Sequence, residues 1–273
     1  MPQGAAAYPV PMSERIVAGG GMSPGFDVRI GELSGRVYLD SANETGPTYV
    51  LLHGIGVSHR YLARLHRQLA EAGRVLSLDL PGFGGTPRPQ QALSVEDYAR
   101  FVAQVLAAGG VVRCVLVGHS MGAQFAIEIA RQHPDLVSHA VLIGPVVDAK
   151  RRTVLRQGLA LARDCPREPL PASAIVLADY IRCGTRFVLT ELPAMLAYPT
   201  EERIGGMVAP VLVVRGAADP IANSDWCRTL ADRAEDGRLL EVAGSRHLVQ
   251  YSAPERVSRA IAAFAGAPLP AAA

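Results

Sequence analysis

Gly118-His119-Ser120-Met121-Gly122 sets a serine between two glycines, directly after the apolar run Val112 to Val117 and ahead of a segment with helical spacing. In a strand–turn–helix context, G-x-S-x-G is the pattern of a nucleophile elbow. The serine there is held in a strained backbone conformation that lifts its hydroxyl above a sheet, and the glycines leave room for the sharp turn. A serine hydroxyl is a weak nucleophile until a base takes its proton, and that base needs an acceptor to hold its tautomer. His247, in Gly244-Ser245-Arg246-His247, is the last histidine of the chain and the candidate base. Asp219, in Arg215-Gly216-Ala217-Ala218-Asp219-Pro220, follows the apolar run Val211 to Val214 and is the candidate orienting acid. Asp148 is a substitute position for that acid. The chemistry implied is acyl transfer through a tetrahedral intermediate whose oxyanion needs backbone donors. The N–H of Met121, just past the serine, supplies one, and Ile55 in His53-Gly54-Ile55-Gly56 the other.

The remaining polar residues receive plainer readings. His53 is expected to bond within its own loop, His119 to point away from the serine, and His59, His66, His133 and His139 to be surface or helix residues. Cys114, Cys165, Cys183 and Cys227 form no C-x-x-C pair or Cys/His cluster, so no metal and no cofactor are expected. With 27 basic and 25 acidic side chains the net charge is +2, too weak a field to suggest nucleic acid, and a small-molecule partner is expected. No apolar run reaches membrane-spanning length and no leader pattern is present, so a cytoplasmic monomer or homodimer without a membrane partner is expected.

These residues must be carried by a scaffold, and the hydrophobic pattern describes one. Phe26 to Ser41 suits two antiparallel strands with Gly35 near their turn. Continuous apolar runs at Thr48 to Leu52, Val75 to Leu80, Val112 to Val117, Ala140 to Ile143 and Pro210 to Val214 alternate with helical stretches, and a last strand is expected near Arg238 to Val242. The helices are expected after Ser58, from Ser94 to Ala108 behind a Ser94-x-x-Asp97 capping box, after Ser120, around Ser224 to Ala234 and from Pro254 to Phe264. Strand alternating with helix implies a parallel sheet covered on both faces. Between about Pro145 and Gly206 the strand signal stops and helical stretches at Thr153 to Arg163, Ser173 to Arg182 and Thr185 to Leu196 replace it. The expected organisation is a flexible arm over 1–25, a core over 26–144 and 207–266, and a helical cap insertion over 145–206.

Four motifs together make the chain resemble the α/β-hydrolase superfamily from about Phe26 to Phe264: His53-Gly54-Ile55-Gly56, Asp79-Leu80-Pro81-Gly82-Phe83-Gly84, Gly118-His119-Ser120-Met121-Gly122, and the Asp219 and His247 positions. The resemblance is to its serine-nucleophile, esterase-like branch with a helical cap. It implies an α/β fold with an eight-stranded, mostly parallel sheet and a cofactor-independent acyl-enzyme mechanism. The expected reaction is hydrolysis of a small or medium apolar carboxylic ester by Ser120, Asp219 and His247. Hydrolysis of a carbon–carbon bond in a ring-cleavage diketone, and non-catalytic binding of a small ligand, are the alternatives. Arg151, Arg152, Arg156, Arg182 and Arg186 are positions from which a cation could meet an acidic substrate group.

Overall fold

A computed structural model describes residues 23–148 and 167–267. Eight strands form one sheet: β1 (Phe26–Ile30), β2 (Leu33–Ser41), β3 (Thr48–Leu52), β4 (Arg74–Asp79), β5 (Cys114–His119), β6 (Val137–Ile143), β7 (Val211–Gly216) and β8 (Gly237–Val242). Their spatial order is β1-β2-β4-β3-β5-β6-β7-β8. β1 and β2 are antiparallel to each other, and β2 is antiparallel to β4; every later pairing is parallel. The expected eight-stranded, mostly parallel α/β sheet is therefore present.

The long helices are α1 (Ala63–Ala70), α2 (Val95–Ala108), α3 (Met121–Gln132), α4 (Leu170–Cys183), α5 (Thr185–Ala197), α6 (Ser224–Arg233) and α7 (Pro254–Phe264). The capping box opens α2 as its sequence suggests: the Ser94 hydroxyl accepts from the Asp97 N–H, and the Asp97 carboxylate accepts from the Ser94 N–H. Two apolar layers sandwich the sheet. Tyr98, Phe101, Phe125 and Trp226 from α2, α3 and α6 pack on one face. Leu65 and Leu69 of α1 and Val257 and Ile261 of α7 pack on the other. This two-sided burial explains why β3 to β7 read as continuous apolar runs and not as alternating ones.

The first hairpin departs from expectation. Its turn lies at Gly31, with φ +58°, and Gly35 lies within β2 opposite Val28. Gly35 is a close-approach glycine: a methyl there would meet the Asp79 carbonyl oxygen and a Phe101 ring carbon, each at 2.9 Å. Gly35→Ala should lower stability by about 1–3 kcal/mol, the usual cost of overpacking, with urea unfolding as the check. The strand expected from Val112 begins at Cys114, and Val112 is solvent-exposed.

Between β6 and β7 the described chain carries α4 and α5 and, beyond them, a single turn at Thr200–Arg203. The helix expected over Thr153 to Arg163 lies outside the described residues, as do Arg151, Arg152, Arg156, Cys165 and most of the expected arm.

Candidate active site

The C-terminal ends of four parallel strands deliver the candidate residues to one place. β3 leads to Gly54 and Ile55, β5 to Ser120, β7 to Asp219 and β8 to His247. The ends are aligned by register: Leu52 pairs with Gly118, His119 with Ile143, Ile143 with Val214, and Gly216 with Val242. Ser120, His247 and Ile55 line a single cavity of about 220 Å³.

Ser120 has φ +57° and ψ −120°, a conformation that costs a non-glycine residue of order 1–3 kcal/mol. Its surroundings hold it there. The Ser120 N–H donates to the Ile143 carbonyl at 2.9 Å, and the Ala123 N–H donates to the Ser120 carbonyl at 3.1 Å. The flanking glycines are sterically required, since a methyl at Gly118 would lie 2.1 Å from the Gly122 carbonyl oxygen and one at Gly122 would lie 2.3 Å from that of Leu52. Met121 is the first residue of α3, so its N–H belongs to the unpaired first turn of a helix, where a developing anion is favoured.

His247 and Asp219 meet directly: the imidazole Nδ1 is 2.9 Å from Asp219 Oδ2. The other carboxylate oxygen accepts the N–H groups of Ile221 at 2.7 Å and Ala222 at 3.0 Å. Burial pushes the Asp219 pKa up, but His247 and the two N–H donors outweigh it, leaving the carboxyl below its ordinary value. Arg215, itself buried, braces this loop by donating to the carbonyls of Ala222 at 2.8 Å and Asp219 at 3.2 Å. Asp148 is engaged elsewhere and accepts from the Asn223 amide at 2.9 Å.

The Ile55 N–H is oriented by a histidine. His53 is buried and its Nε2 accepts the Leu80 N–H at 3.1 Å, so its Nδ1 carries the proton and donates to the Gly54 carbonyl at 2.7 Å. That carbonyl and the Ile55 N–H share one trans peptide plane and point in opposite directions. Holding one aims the other.

Hydrophobic side chains make up most of the cavity wall: Val57, Val146 and Ile221 from the core, and Val176, Val188, Leu192 and Met195 from α4 and α5. Among the described residues no lysine, arginine or carboxylate lines it. Arg182 and Arg186 are exposed. In the segment between β6 and β7, Val176 and Met195 reach the cavity, whereas Leu177 faces solvent.

Two features escape the sequence reading. His119 lies in the cavity wall and contacts His247, with ring centroids 4.8 Å apart. The Tyr61 hydroxyl lies 2.8 Å from His119 Nδ1. No pattern in the chain brings residue 61 to residue 119; the pairing of β3 with β5 does. Among the described residues there is no group of His, Cys, Asp and Glu suited to a metal, and no helix is long and apolar enough to cross a membrane.

Known proteins resemble this chain over part or most of its length. A protein of Mycobacterium tuberculosis is 34% identical over 99 residues, 36% of this chain and 29% of its own length, so the chain spans under a third of that relative. The (E)-2-((N-methylformamido)methylene)succinate hydrolase of Acinetobacter baylyi is 25% identical over 237 residues, covering 80% of this chain and 90% of that protein. Among solved structures, a membrane phospholipase A described as a bacterial virulence factor superposes with a TM-score of 0.75 at 25% identity, over 90% of this chain and 86% of that one. Residues 49–260, which run from β3 into α7 and include every strand that delivers a candidate residue, match the alpha/beta hydrolase family, and the chain belongs to that family.

Proposed function

We propose that the protein is a serine hydrolase that cleaves small or medium neutral, apolar carboxylic esters through an acyl-enzyme. The observation that carries this reading is the buried Asp219–His247 pair at 2.9 Å opening, with the strained Ser120, onto one cavity walled by hydrophobic side chains. In the proposed cycle His247 Nε2 takes the Ser120 proton as Oγ attacks the carbonyl, while Asp219 keeps the other imidazole proton on Nδ1 and favours the imidazolium that forms. The N–H groups of Ile55 and Met121 hold the oxyanion. His247 then gives its proton to the departing alcohol, and water attacks the acyl-enzyme with His247 again as base. Segment 145–206 acts as the cap, contributing Val176, Val188, Leu192 and Met195 to the acyl site.

The size and polarity of the cavity support the substrate class. A volume of about 220 Å³ falls below the roughly 300–1,000 Å³ typical of drug-sized ligand sites. That volume favours short to medium acyl groups over long ones. The Acinetobacter relative is named for a succinate derivative, but an anionic acyl group here would lose its hydration with no cation in the described wall to replace it.

The test is turnover of p-nitrophenyl esters of increasing acyl length, of a succinyl ester beside its neutral isostere, and of a vinylogous 1,5-diketone. Turnover should be highest for short to medium neutral acyl groups and fall for long chains and for the succinyl ester. Diketone cleavage far above any ester, or silence on every ester, would overturn the assignment.

A further inference from the structure

We propose that His119, held permanently neutral and in its Nε2–H tautomer, is a positioning residue that ties the backbone of the base His247 to the oxyanion loop at Gly54 through Tyr61. The inference rests on the reading of Ser120, His247 and Ile55 just given.

For a neutral imidazole the hydrogen bonds allow one assignment of protons. His119 Nε2 lies 3.1 Å from the His247 carbonyl oxygen, which can only accept, so Nε2 carries a proton and donates. In the neutral ring Nδ1 is then an acceptor, and the Tyr61 hydroxyl 2.8 Å away must donate to it. The Tyr61 oxygen in turn accepts the Gly54 N–H at 3.0 Å. The result is a directed chain from Gly54 N–H to Tyr61 to His119 to the His247 carbonyl. A second proton on His119 would turn Nδ1 into a donor and take away the acceptor that this chain gives the Tyr61 hydroxyl proton. Burial, then the adjacent His247, lower the His119 pKa to about 3, in keeping with that geometry.

The chain links what catalysis must keep in register. His119 immediately precedes Ser120, so the middle of the link moves with the nucleophile. Its Nε2–H holds the backbone from which the His247 side chain projects. At the far end, Tyr61 fixes the peptide that joins His53 to Gly54, while His53 fixes the next one. The Ile55 donor thus hangs from two restrained peptide planes. His119 and Tyr61 are both nearly inaccessible, and their rings meet edge to face with centroids 5.1 Å apart, so neither has room to turn away. A shift of the base or the oxyanion donor by about 1 Å costs roughly 100-fold in rate. It leaves the apolar contacts that bind an acyl chain nearly untouched.

The experiment has two arms. Long-range 1H–15N spectra of the full chain should show His119 neutral and protonated at Nε2 from pH 5 to 9; titration in that range, or protonation at Nδ1, would overturn the proposal whatever the enzyme's substrate. Kinetics form the second arm, with active sites counted by a fluorophosphonate. His119→Phe keeps the ring and loses both bonds, and should lower kcat about 100-fold with KM changed less than about threefold. His119→Gln, whose amide nitrogen can reach the His247 carbonyl, should recover about tenfold of that loss. Tyr61→Phe should lower kcat about tenfold in the native background and hardly at all beside His119→Phe, because the two act through one path. Full kcat in His119→Phe, with loss only of thermal stability, would reduce His119 to a packing residue and overturn the proposal. Activity surviving in Ser120→Ala would instead sink the hydrolase reading and leave the spectroscopic result to stand or fall by itself.

Discussion

Ser120→Ala will remove ester turnover by a factor on the order of 10⁵ to 10⁶, the scale of losing the nucleophile of a serine triad, while leaving the fold intact. The side chain is only partly buried, and the bonds that hold the elbow are made by the backbone N–H and carbonyl of residue 120, both of which alanine keeps. Alanine bears the same positive φ as serine, so the strain is neither relieved nor enlarged. Circular dichroism and the unfolding midpoint should match those of the native protein. Fluorophosphonate labelling should disappear together with hydrolysis, and retention of either one would show that another group attacks the substrate.

Asp219→Asn should lower kcat about 10⁴-fold, the effect of the wrong histidine tautomer in a serine triad. The reason can be read from the bonds at the carboxylate. Oδ1 accepts two backbone N–H groups, from Ile221 and Ala222, and Oδ2 faces His247 Nδ1. An asparagine has a single oxygen, which must stay with the two donors, so its NH₂ group turns toward His247. Nδ1 then has to accept, and the imidazole proton moves to Nε2, the nitrogen needed to receive the serine proton. The variant also changes the acid dependence of stability. Asp219 titrates below its ordinary value of 3.8 in the folded chain. A depressed carboxylate contributes stability that is complete above the unfolded pKa and is lost as pH falls through the lower folded one. Urea unfolding followed downward from pH 4 should therefore weaken more steeply in the native protein than in Asp219→Asn, and equal slopes would count against a charged Asp219 in the fold.

The sheet and the meeting of Asp219 with His247 were legible because both follow from strong local signals: apolar runs of strand length, and short polar stretches directly after them. What stayed hidden depends on tertiary approach. Gly35 looked like a turn residue because glycine serves turns and close contacts alike, and only the packing of Phe101 and Asp79 against β2 tells the two apart. His59 and His66 lie in helical turns as expected, but nothing in the chain shows that His59 bonds Asp79 at 2.9 Å and stacks on Tyr38, or that His66 is buried against Ser77 and Asp40. The bonds of His119 to Tyr61 and to the His247 carbonyl were not legible, since strand alternation predicts which face a side chain leaves from but not what a neighbouring loop brings to it.

The polar contacts of the segment between β6 and β7 bear on how freely such segments can be traded between relatives. The Ser58 hydroxyl donates to Asp179 of α4 at 2.6 Å, Glu168 accepts the Leu248 N–H at 2.7 Å beside the histidine, and Gln124 of α3 donates to the Met195 carbonyl of α5 at 3.0 Å. Each bond joins the segment to a different stretch of the sheet's upper rim: the loop after β3, the loop that carries His247, and α3. Chimeras that transplant a foreign segment at residues 145 and 206 would leave buried donors from three separate core elements without acceptors. For this chain the obstacle to exchanging the segment lies less at the two splice points than in these polar anchors, and point substitution among Val176, Val188, Leu192 and Met195 reshapes the cavity wall while keeping them.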